Sequence, residues 1–452
     1  MHYHLIGIGG IGMSGIAKLL LQRGIKVSGS DLKESNITNG LKESGASIFI
    51  GHNPSNIKGA DLVIYSSAIS GDNSEIQEAK KQGLPLIRRA QALADLMKNE
   101  TVIAITGSHG KTTTASLVSY LLLEAGFNPT LAIGGILRNI DNNAYLGAGR
   151  FFVAEADESD GSFLYYQPKY SIITNIDYEH LDYYKDFENA MNTFKEFINK
   201  TKNDGCVFCC DDDVNLKNVL KNYNNRYVLF GLSESADIYP KNIQMKGLTS
   251  EFDCFCKNKF IDRFCLNLGG MHNISNALSV IALGLELGVD LGFIRNTLAN
   301  YQGSRRRIEV KFNDKDYLVI DDYAHHPTEI RATLATIRNL KKRVIAIFQP
   351  HRYTRTKLLL NEFGRCFDLA DYVVVTNIYP AGEPSLEGVT GSSVYDRIKE
   401  HAPDKPVYFL PKEEIVPHIL KIIKPDDLII TLGAGDITKT CDELVERLKN
   451  QD

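Results

Sequence analysis

Short runs of apolar residues alternate with stretches of helical periodicity from one end of this chain to the other, the signature of wound α/β domains. Residues 4–8, 26–30, 47–50, 62–65 and 85–87 read as strands with helices between them, the first at 13–23 and closed by Gly24. That unit ends near Asn99. A second begins with a strand at 101–105 and a helix from Lys111, where Ala115, Val118, Leu122 and Ala125 recur at helical spacing on one face. Strands at 151–154, 171–174 and 206–210 continue it, followed by an antiparallel stretch at 252–268 and helices at 273–287 and 291–299. A third opens near Gly303, with strands at 318–320, 343–348, 372–376, 407–410 and 428–432. The expectation is three α/β domains, 1–99, 100–302 and 303–452, as suits 452 residues, too many for one core.

A hydrophobic fraction of 43% and a charged fraction of 23% belong to a globular chain. The formal net charge of -4 gives no field that favours nucleic acid, so an anionic ligand must be held by local groups. The chain opens Met1-His2-Tyr3-His4 without a basic leader, and no run approaches the roughly 20 apolar residues of a membrane span. The expected location is cytoplasmic, with no membrane partner. The cluster Cys206, Cys209 and Cys210 sits in an apolar run without a second ligand pair, and reads as buried reduced thiols, not a zinc site.

In wound sheets ligands bind beyond the carboxyl ends of strands, and polar clusters occupy such places repeatedly here. The first is GIGGIG at 7–12, whose glycines let backbone approach a pyrophosphate, with Asp31 ending the next strand where a ribose hydroxyl would lie. Alone, that turn suits a dinucleotide cofactor and an NAD-dependent oxidoreductase. The second is TGSHGKTT at 106–113. Lys111 would reach the β- and γ-phosphates, Thr112 would hold Mg²⁺ and backbone N–H groups would cradle oxygens, although Ile105 stands where a standard phosphate loop has its first glycine. In AEADESD at 154–160, Glu155 follows a buried strand and should point into the site, where a carboxylate completes a Mg²⁺ shell. His180, after the strand at 171–174, could ligate a second metal. In the third unit, RRR at 305–307, DDYAHHP at 321–327 and QPHRYTR at 349–355 concentrate positive charge and donors suited to phosphate and carboxylate.

These motifs, with GIGGIGMSG at 7–15, TGSHGKTTT at 106–114, EADESD at 155–160, TNID at 174–177, DDYAHHPTE at 321–329 and QPHRYTRT at 349–356, resemble the Mur ligase family in order and across nearly the whole chain. The resemblance implies a Rossmann-like N-terminal domain that binds a UDP-sugar, a central P-loop ATPase-like domain, and a C-terminal Rossmann-like α/β domain. It implies ATP and Mg²⁺ as cofactors, and ATP at Gly107, Ser108, His109, Gly110, Lys111, Thr112 and Thr113. Asn273 and Asn276 match the family's adenine-side motif, and Arg306, Asp322 and Tyr323 complete the nucleotide site. Thr112, Glu155 and His180 would serve the metal. Gly9, Gly10, Ile11, Gly12, Asp31, His52, Asn53, Ser66, Ser67, Asp157, Glu158 and Asn175 would serve the UDP-sugar. His325, His326 and Arg352 would handle the incoming amino acid, and Lys111, Glu155, His180, His326 and Arg352 form the implied catalytic set.

The implied reaction joins L-alanine to the lactyl carboxylate of UDP-N-acetylmuramate through an acyl phosphate, in peptidoglycan precursor synthesis, in a monomer or homodimer. A branch that adds a preformed tripeptide to the same sugar shares the His-His-Pro motif, and the GIGGIGMS opening favours the alanine branch. An oxidoreductase would leave Lys111, Glu155 and the third domain idle. A regulatory nucleotide-binding protein would not need the metal and arginine set. Several relatives carry a carbamylated lysine on the helix after the metal-binding histidine; Lys195 lies on such a helix and reads here as an unmodified surface residue.

Overall fold

The computed structural model describes residues 1–66 and 68–450. It contains three sheets. The first has five parallel strands in the order Ser47–Ile50, Lys26–Asp31, His2–Ile6, Leu62–Tyr65 and Leu86–Arg88. Its order reverses between His2–Ile6 and Leu62–Tyr65, which opens a crevice at their carboxyl ends. The first strand ends two residues before the expected 4–8 run does. Gly7, at φ 78°, turns the backbone out of the sheet there, and the helix Ile11–Gln22 follows.

The second sheet has ten strands. From Tyr227–Phe230 it runs through Cys206–Cys210, Tyr170–Ile173, Thr101–Thr106 and Phe151–Glu155 to Thr130–Leu137, all parallel. Asn142–Tyr145 closes one side antiparallel, and Ile238–Lys246, Thr249–Cys256 and Lys259–Leu266 extend the other. The last two overlap the expected antiparallel stretch at 252–268, the first of them starting three residues earlier, and only two residues join them, a connection that suits an antiparallel pair. The sequence reading did not pick out strands at 130–137, 142–145 and 238–246, where glycines or polar residues break the apolar pattern, nor the short apolar run at 227–230. Cys206, Cys209 and Cys210 lie buried in their strand, and burial raises each thiol above its ordinary range.

The third sheet has the order Glu309–Asn313, Tyr317–Asp322, Asp427–Leu432, Arg343–Phe348, Tyr372–Val375 and Val407–Phe409, with only the first strand antiparallel. Alternation along its strands builds two cores. Leu318, Ile320, Ala346, Phe348 and Ile430 face one side with Ile330 and Phe363. Val319, Ile345, Ile347 and Ile429 face the other with Ile415 and Leu444. Helices on both faces of a mostly parallel sheet make it doubly wound.

The chain forms two compact units. One comprises Met1–Ile243, Phe252–Leu266 and Asn273–Gln302, and the other Gln244–Glu251, Asn267–His272 and Gly303–Asp452. Within the first unit the first two sheets are tied together: Lys18 Nζ donates to Asn142 Oδ1 at 2.7 Å, and Asn143 Nδ2 donates to the Ile11 carbonyl at 2.8 Å. Among the described residues no helix is long and apolar enough to cross a membrane.

Candidate active site

The glycine-rich turn of the first sheet sits in the crevice of that sheet. Gly9 N–H donates to Asp31 Oδ2 at 2.9 Å, so the carboxylate that ends the second strand holds the turn. A Cβ on Gly9 would meet that oxygen at 2.8 Å. Gly10 caps the following helix, and Gly10 and Ile11 are exposed, leaving backbone donors at a helix N-terminus facing outward. Ser66, after Leu62–Tyr65, lies across the crevice, 3.8 Å from a Cβ built on Gly7. His52 and Asn53 follow the edge strand Ser47–Ile50. Ser67 lies outside the described residues.

Arg89, which the motif reading missed, extends over this turn. A Cβ on Gly12 would lie 3.0 Å from its Nη1, and its Nη2 pairs with Asp157 Oδ2 at 3.0 Å. Asp157 comes from the loop after Phe151–Glu155, so one guanidinium spans the glycine turn of the first sheet and the acidic loop of the second. The only sequence signal was its place at the start of a helix after an edge strand.

The phosphate loop leaves Thr101–Thr106, the strand beside the reversal of the second sheet. Gly107 and Gly110 adopt φ of 128° and 85°. A Cβ on Gly107 would overlap Thr174 Oγ1, and one on Gly110 would meet Asn276 Oδ1 at 2.7 Å, so both positions need glycine for space as well as for φ. The neighbouring strand supplies the loop's outer wall. Asn175 Oδ1 accepts from His109 N–H at 2.8 Å and Asn175 Nδ2 donates to the His109 carbonyl at 3.1 Å. Thr174 Oγ1 donates to the same carbonyl at 2.5 Å, and Ser108 Oγ accepts from Asp177 N–H at 2.8 Å. His109 Nε2 lies 2.9 Å from Asp177 Oδ2. Asn276, paired with Asn273 at 3.4 Å, is buried on the helix Met271–Glu286 against Gly110.

Charge gathers at the helix Lys111–Glu124. Lys111 Nζ donates to the carbonyls of Gly107 at 2.6 Å and Ser108 at 3.0 Å and to Glu158 Oε1 at 2.8 Å. Burial would lower this lysine's pKa, but Glu158 and Glu179 outweigh it and hold Lys111 as ammonium. Burial raises the Glu158 carboxyl, and the ammonium of Lys111 draws it back toward its charged form. Next to it, Thr112 Oγ1 donates to Glu155 Oε1 at 3.0 Å, and Glu155 Oε2 accepts from Gly134 N–H at 2.7 Å. Thr112 and Glu155 are thus brought together. His180 lies instead 3.6 Å from Glu158 Oε1 and 3.7 Å from Glu179 Oε2, in a group whose ligand atoms fall within 4.8 Å of one another. Glu158 Oε2 is buried with no hydrogen-bond partner. An orphaned carboxylate oxygen beside a second carboxylate and an imidazole is a donor set that fits a divalent cation.

In the second unit Arg306 Nε pairs with the buried Asp321 at 3.0 Å, and its Nη atoms donate to the Gly433 and Gly435 carbonyls. Tyr323 lies under Arg306 and Arg307, at 5.2 and 5.0 Å from the guanidinium carbons. Burial lifts Asp322 to about 6, although Arg307 and the N–H groups of Ala324 and Ile308 favour its charged form. His326 caps the helix Pro327–Arg338, with Pro327 at its first position, and Glu329 Oε2 accepts from the N–H groups of His325 and His326 at 3.1 and 3.2 Å. Arg352 N–H donates to the Tyr379 carbonyl at 2.9 Å, and its side chain lies 3.6 Å from Glu383. His351 stacks on Tyr379 and accepts from Arg355 at 3.2 Å; burial, then His325 and the arginines, push it down to about 2.

His180, Arg306 and Arg352 all have positive φ, 57°, 59° and 69°. Left-handed backbone at non-glycine residues costs on the order of 1 kcal/mol or more each, and it persists where side-chain direction matters more than relaxation. Lys195 is exposed on the helix Phe187–Asn199.

Three family models account for most of the chain: the Mur ligase family catalytic domain at residues 2–101, the Mur ligase middle domain at 105–284, and the Mur ligase glutamate ligase domain at 306–435. The chain is 45% identical over 447 residues to a UDP-N-acetylmuramate–L-alanine ligase of Geotalea uraniireducens (strain Rf4), covering 99% of this chain and 98% of the relative. It is 46% identical over 436 residues to the enzyme of that name from Desulfatibacillum aliphaticivorans, covering 96% of each. The crystal structure of the UDP-N-acetylmuramate-alanine ligase MurC of Thermotoga maritima matches with a TM-score of 0.86 and 32% identity over 100% of both chains. A murein peptide ligase from Psychrobacter arcticus 273-4 shares the fold at a TM-score of 0.74 and 24% identity, over 100% of this chain and 99% of its own. Strand order, phosphate loop, acidic loop and full-length relatives agree: the chain belongs to the Mur ligase family.

Proposed function

We propose that this chain is an ATP-dependent ligase that joins L-alanine to the lactyl carboxylate of UDP-N-acetylmuramate, acting in the cytoplasm with domains at 1–99, 100–302 and 303–452. The observation that carries the reading is the Lys111, Thr112 and Glu155 arrangement at the phosphate loop, in a chain whose full-length relatives bear the alanine ligase name. The tripeptide-adding alternative has a more distant likeness behind it, 27% identity over 68% of this chain to a UDP-N-acetylmuramate:L-alanyl-γ-D-glutamyl-meso-diaminopimelate ligase.

The lactyl carboxylate attacks the γ-phosphorus of ATP, the bond to the β-phosphate oxygen breaks, and an acyl phosphate and ADP result. The neutral amine of L-alanine then attacks the acyl carbon, phosphate leaves, and the amine gives up its proton. The first step brings two anions together. Lys111, held as ammonium, and the N-terminus of its helix offset that repulsion. Gly107, Ser108, His109, Gly110, Thr112 and Thr113 line the phosphates, and Asn273, Asn276, Arg306, Asp322 and Tyr323 serve the rest of the nucleotide. Mg²⁺ would be held by Thr112, Glu155 and His180, with Glu158 within reach through its unpartnered oxygen; bound, it would neutralise phosphate charge. Gly9, Gly10, Ile11, Gly12, Asp31, His52, Asn53, Ser66, Asp157, Glu158 and Asn175 serve the UDP-sugar, with Arg89 added by its position over Gly12. His325, His326 and Arg352 serve the amino acid.

The test is phosphate release from ATP and UDP-N-acetylmuramate with and without L-alanine, with the product weighed. Alanine-dependent release and a gain of one alanine residue are expected. Release that requires a tripeptide, or none with any amino acid, would contradict the assignment.

A further inference from the structure

One buried polar network lies outside the chemistry above. Glu75, on the helix Ser74–Lys81, is fully buried beneath the first sheet. Its Oε1 accepts from Asn53 N–H at 3.1 Å and from Asn56 Nδ2 at 2.6 Å. Its Oε2 accepts from Ser30 Oγ at 2.6 Å and lies 3.3 Å from His4 Nε2. Ser30 and His4 are themselves buried on adjacent strands. Burial would raise this carboxyl, but hydrogen bonds from His4, Ser30 and Asn56 override it and hold it at about 2, so it is an ionised acceptor.

An ionised carboxylate can only accept, and that fixes the direction of the next bond. Ser30 has one hydroxyl hydrogen, and it goes to Glu75. Ser30 Oγ therefore accepts from its other neighbour, His52 Nδ1, at 3.0 Å. The hydrogen on His52 is thereby placed on Nδ1, and Nε2 is the nitrogen left for a ligand. The same carboxylate anchors the backbone of Asn53 and the side chain of Asn56, so both sides of the loop after Ser47–Ile50 are tied to one buried charge.

We propose that Glu75 is a positioning residue for the UDP-sugar, which sets the tautomer of His52 through Ser30 and holds the 52–56 loop in its binding geometry. This rests on the assignment of His52 and Asn53 to the UDP-sugar made above. A structural carboxylate that only stabilised the fold would have no reason to direct a relay to a partly exposed histidine. His52 is 15% exposed and the carboxylate fully enclosed.

Glu75→Gln keeps the size and reverses the relay. The glutamine carbonyl accepts from Asn53 and Asn56, its NH₂ faces Ser30, and the serine hydrogen must then go to His52 Nδ1, which moves the imidazole hydrogen to Nε2. The experiment labels the full chain with ¹⁵N-histidine, assigns His52 by its loss in His52→Gln, and reads tautomers from ring nitrogen shifts, alongside KM for UDP-N-acetylmuramate and for ATP. Expected are an Nδ1–H tautomer in the wild type, an Nε2–H tautomer in Glu75→Gln, and a roughly tenfold rise in KM for the UDP-sugar with KM for ATP unchanged. Ser30→Ala leaves Glu75 its bonds to Asn53 and Asn56 and cuts only the relay. It should change the His52 signals and raise the UDP-sugar KM less than Glu75→Gln does. An unchanged His52 tautomer in folded Glu75→Gln, or unchanged His52 signals and KM in Ser30→Ala, would overturn the proposal. A wild type that binds no UDP-N-acetylmuramate would overturn the function proposed above and the ligand named here. The tautomer readout needs no ligand, so the two failures are distinguishable.

Discussion

The two glycine-rich turns of the first unit share a plan, in which a parallel strand ends in a tight turn and a helix begins, yet they are completed in opposite ways. The loop at 107–111 is walled by side chains of its own sheet and of the helix Met271–Glu286, and Lys111 folds back onto two of its carbonyls. The turn at 7–12 is held by the Asp31 carboxylate at Gly9 and by Asn143 at the Ile11 carbonyl, and leaves Gly10 and Ile11 exposed. Arg89 over Gly12, and the Glu75 network that holds the neighbouring 52–56 loop, come from elements far along the chain. On the function proposed above, the loop that orients a reacting γ-phosphate is pre-organised locally, whereas the turn that only binds can borrow its precision from a remote network.

The sharpest way to break that contrast is Lys111→Ala. Turnover should fall on the order of 10³-fold while KM for UDP-N-acetylmuramate stays within about threefold, read by phosphate release. Proportional loss of both would mean that the turns do not act separately.

The remote network behind the 52–56 loop has a pH signature. Glu75 is depressed to about 2 from its ordinary 4.5, so its contribution is present above 4.5 and is lost as pH falls through 2. Across that window the wild type should lose about 3 kcal/mol of stability that Glu75→Gln never had. Denaturant titrations at pH 7 and pH 3 should show the gap between the two proteins narrowing in acid.

Gly107→Ala should destabilise by about 2 kcal/mol, because the added Cβ meets Thr174 and φ is positive. Gly10→Ala, at φ −66° with only the Gly7 carbonyl 3.4 Å away, should shift thermal stability by less than about 0.5 kcal/mol. Equal effects would remove the distinction between a walled loop and an open turn. Smallest of all, Lys195→Ala should leave both turnover and stability unchanged within about 0.5 kcal/mol, as for an exposed helix residue.

The locally walled loop was also the legible one. Glycines, lysine and hydroxyl lie within eight residues at the end of a strand, and their order alone implies phosphate chemistry. Thr112 beside Glu155 followed from placing each at the end of a strand of one sheet. What supports the first turn and the 52–56 loop was not legible, because it depends on separations of tens of residues. Glu75 looks like an ordinary acid in a first helical turn, and only the fold brings His4, Ser30 and Asn53 around it. Arg89 hides in the same way at the start of a helix. The positive φ of Arg306 and Arg352 has no sequence signal, and that of His180 only the weak one that histidine tolerates such backbone more often than most residues. Those backbone choices decide where three site side chains point.

The most direct test of the division between the turns is calorimetric titration of Gly9→Val and Lys111→Ala with UDP-N-acetylmuramate and with ATP separately. Gly9→Val, whose side chain displaces Asp31, should lose UDP-sugar binding at least tenfold and keep ATP binding; Lys111→Ala should weaken ATP binding and keep the UDP-sugar. If each variant weakened both ligands equally, the two turns would not be the separate binding sites described here.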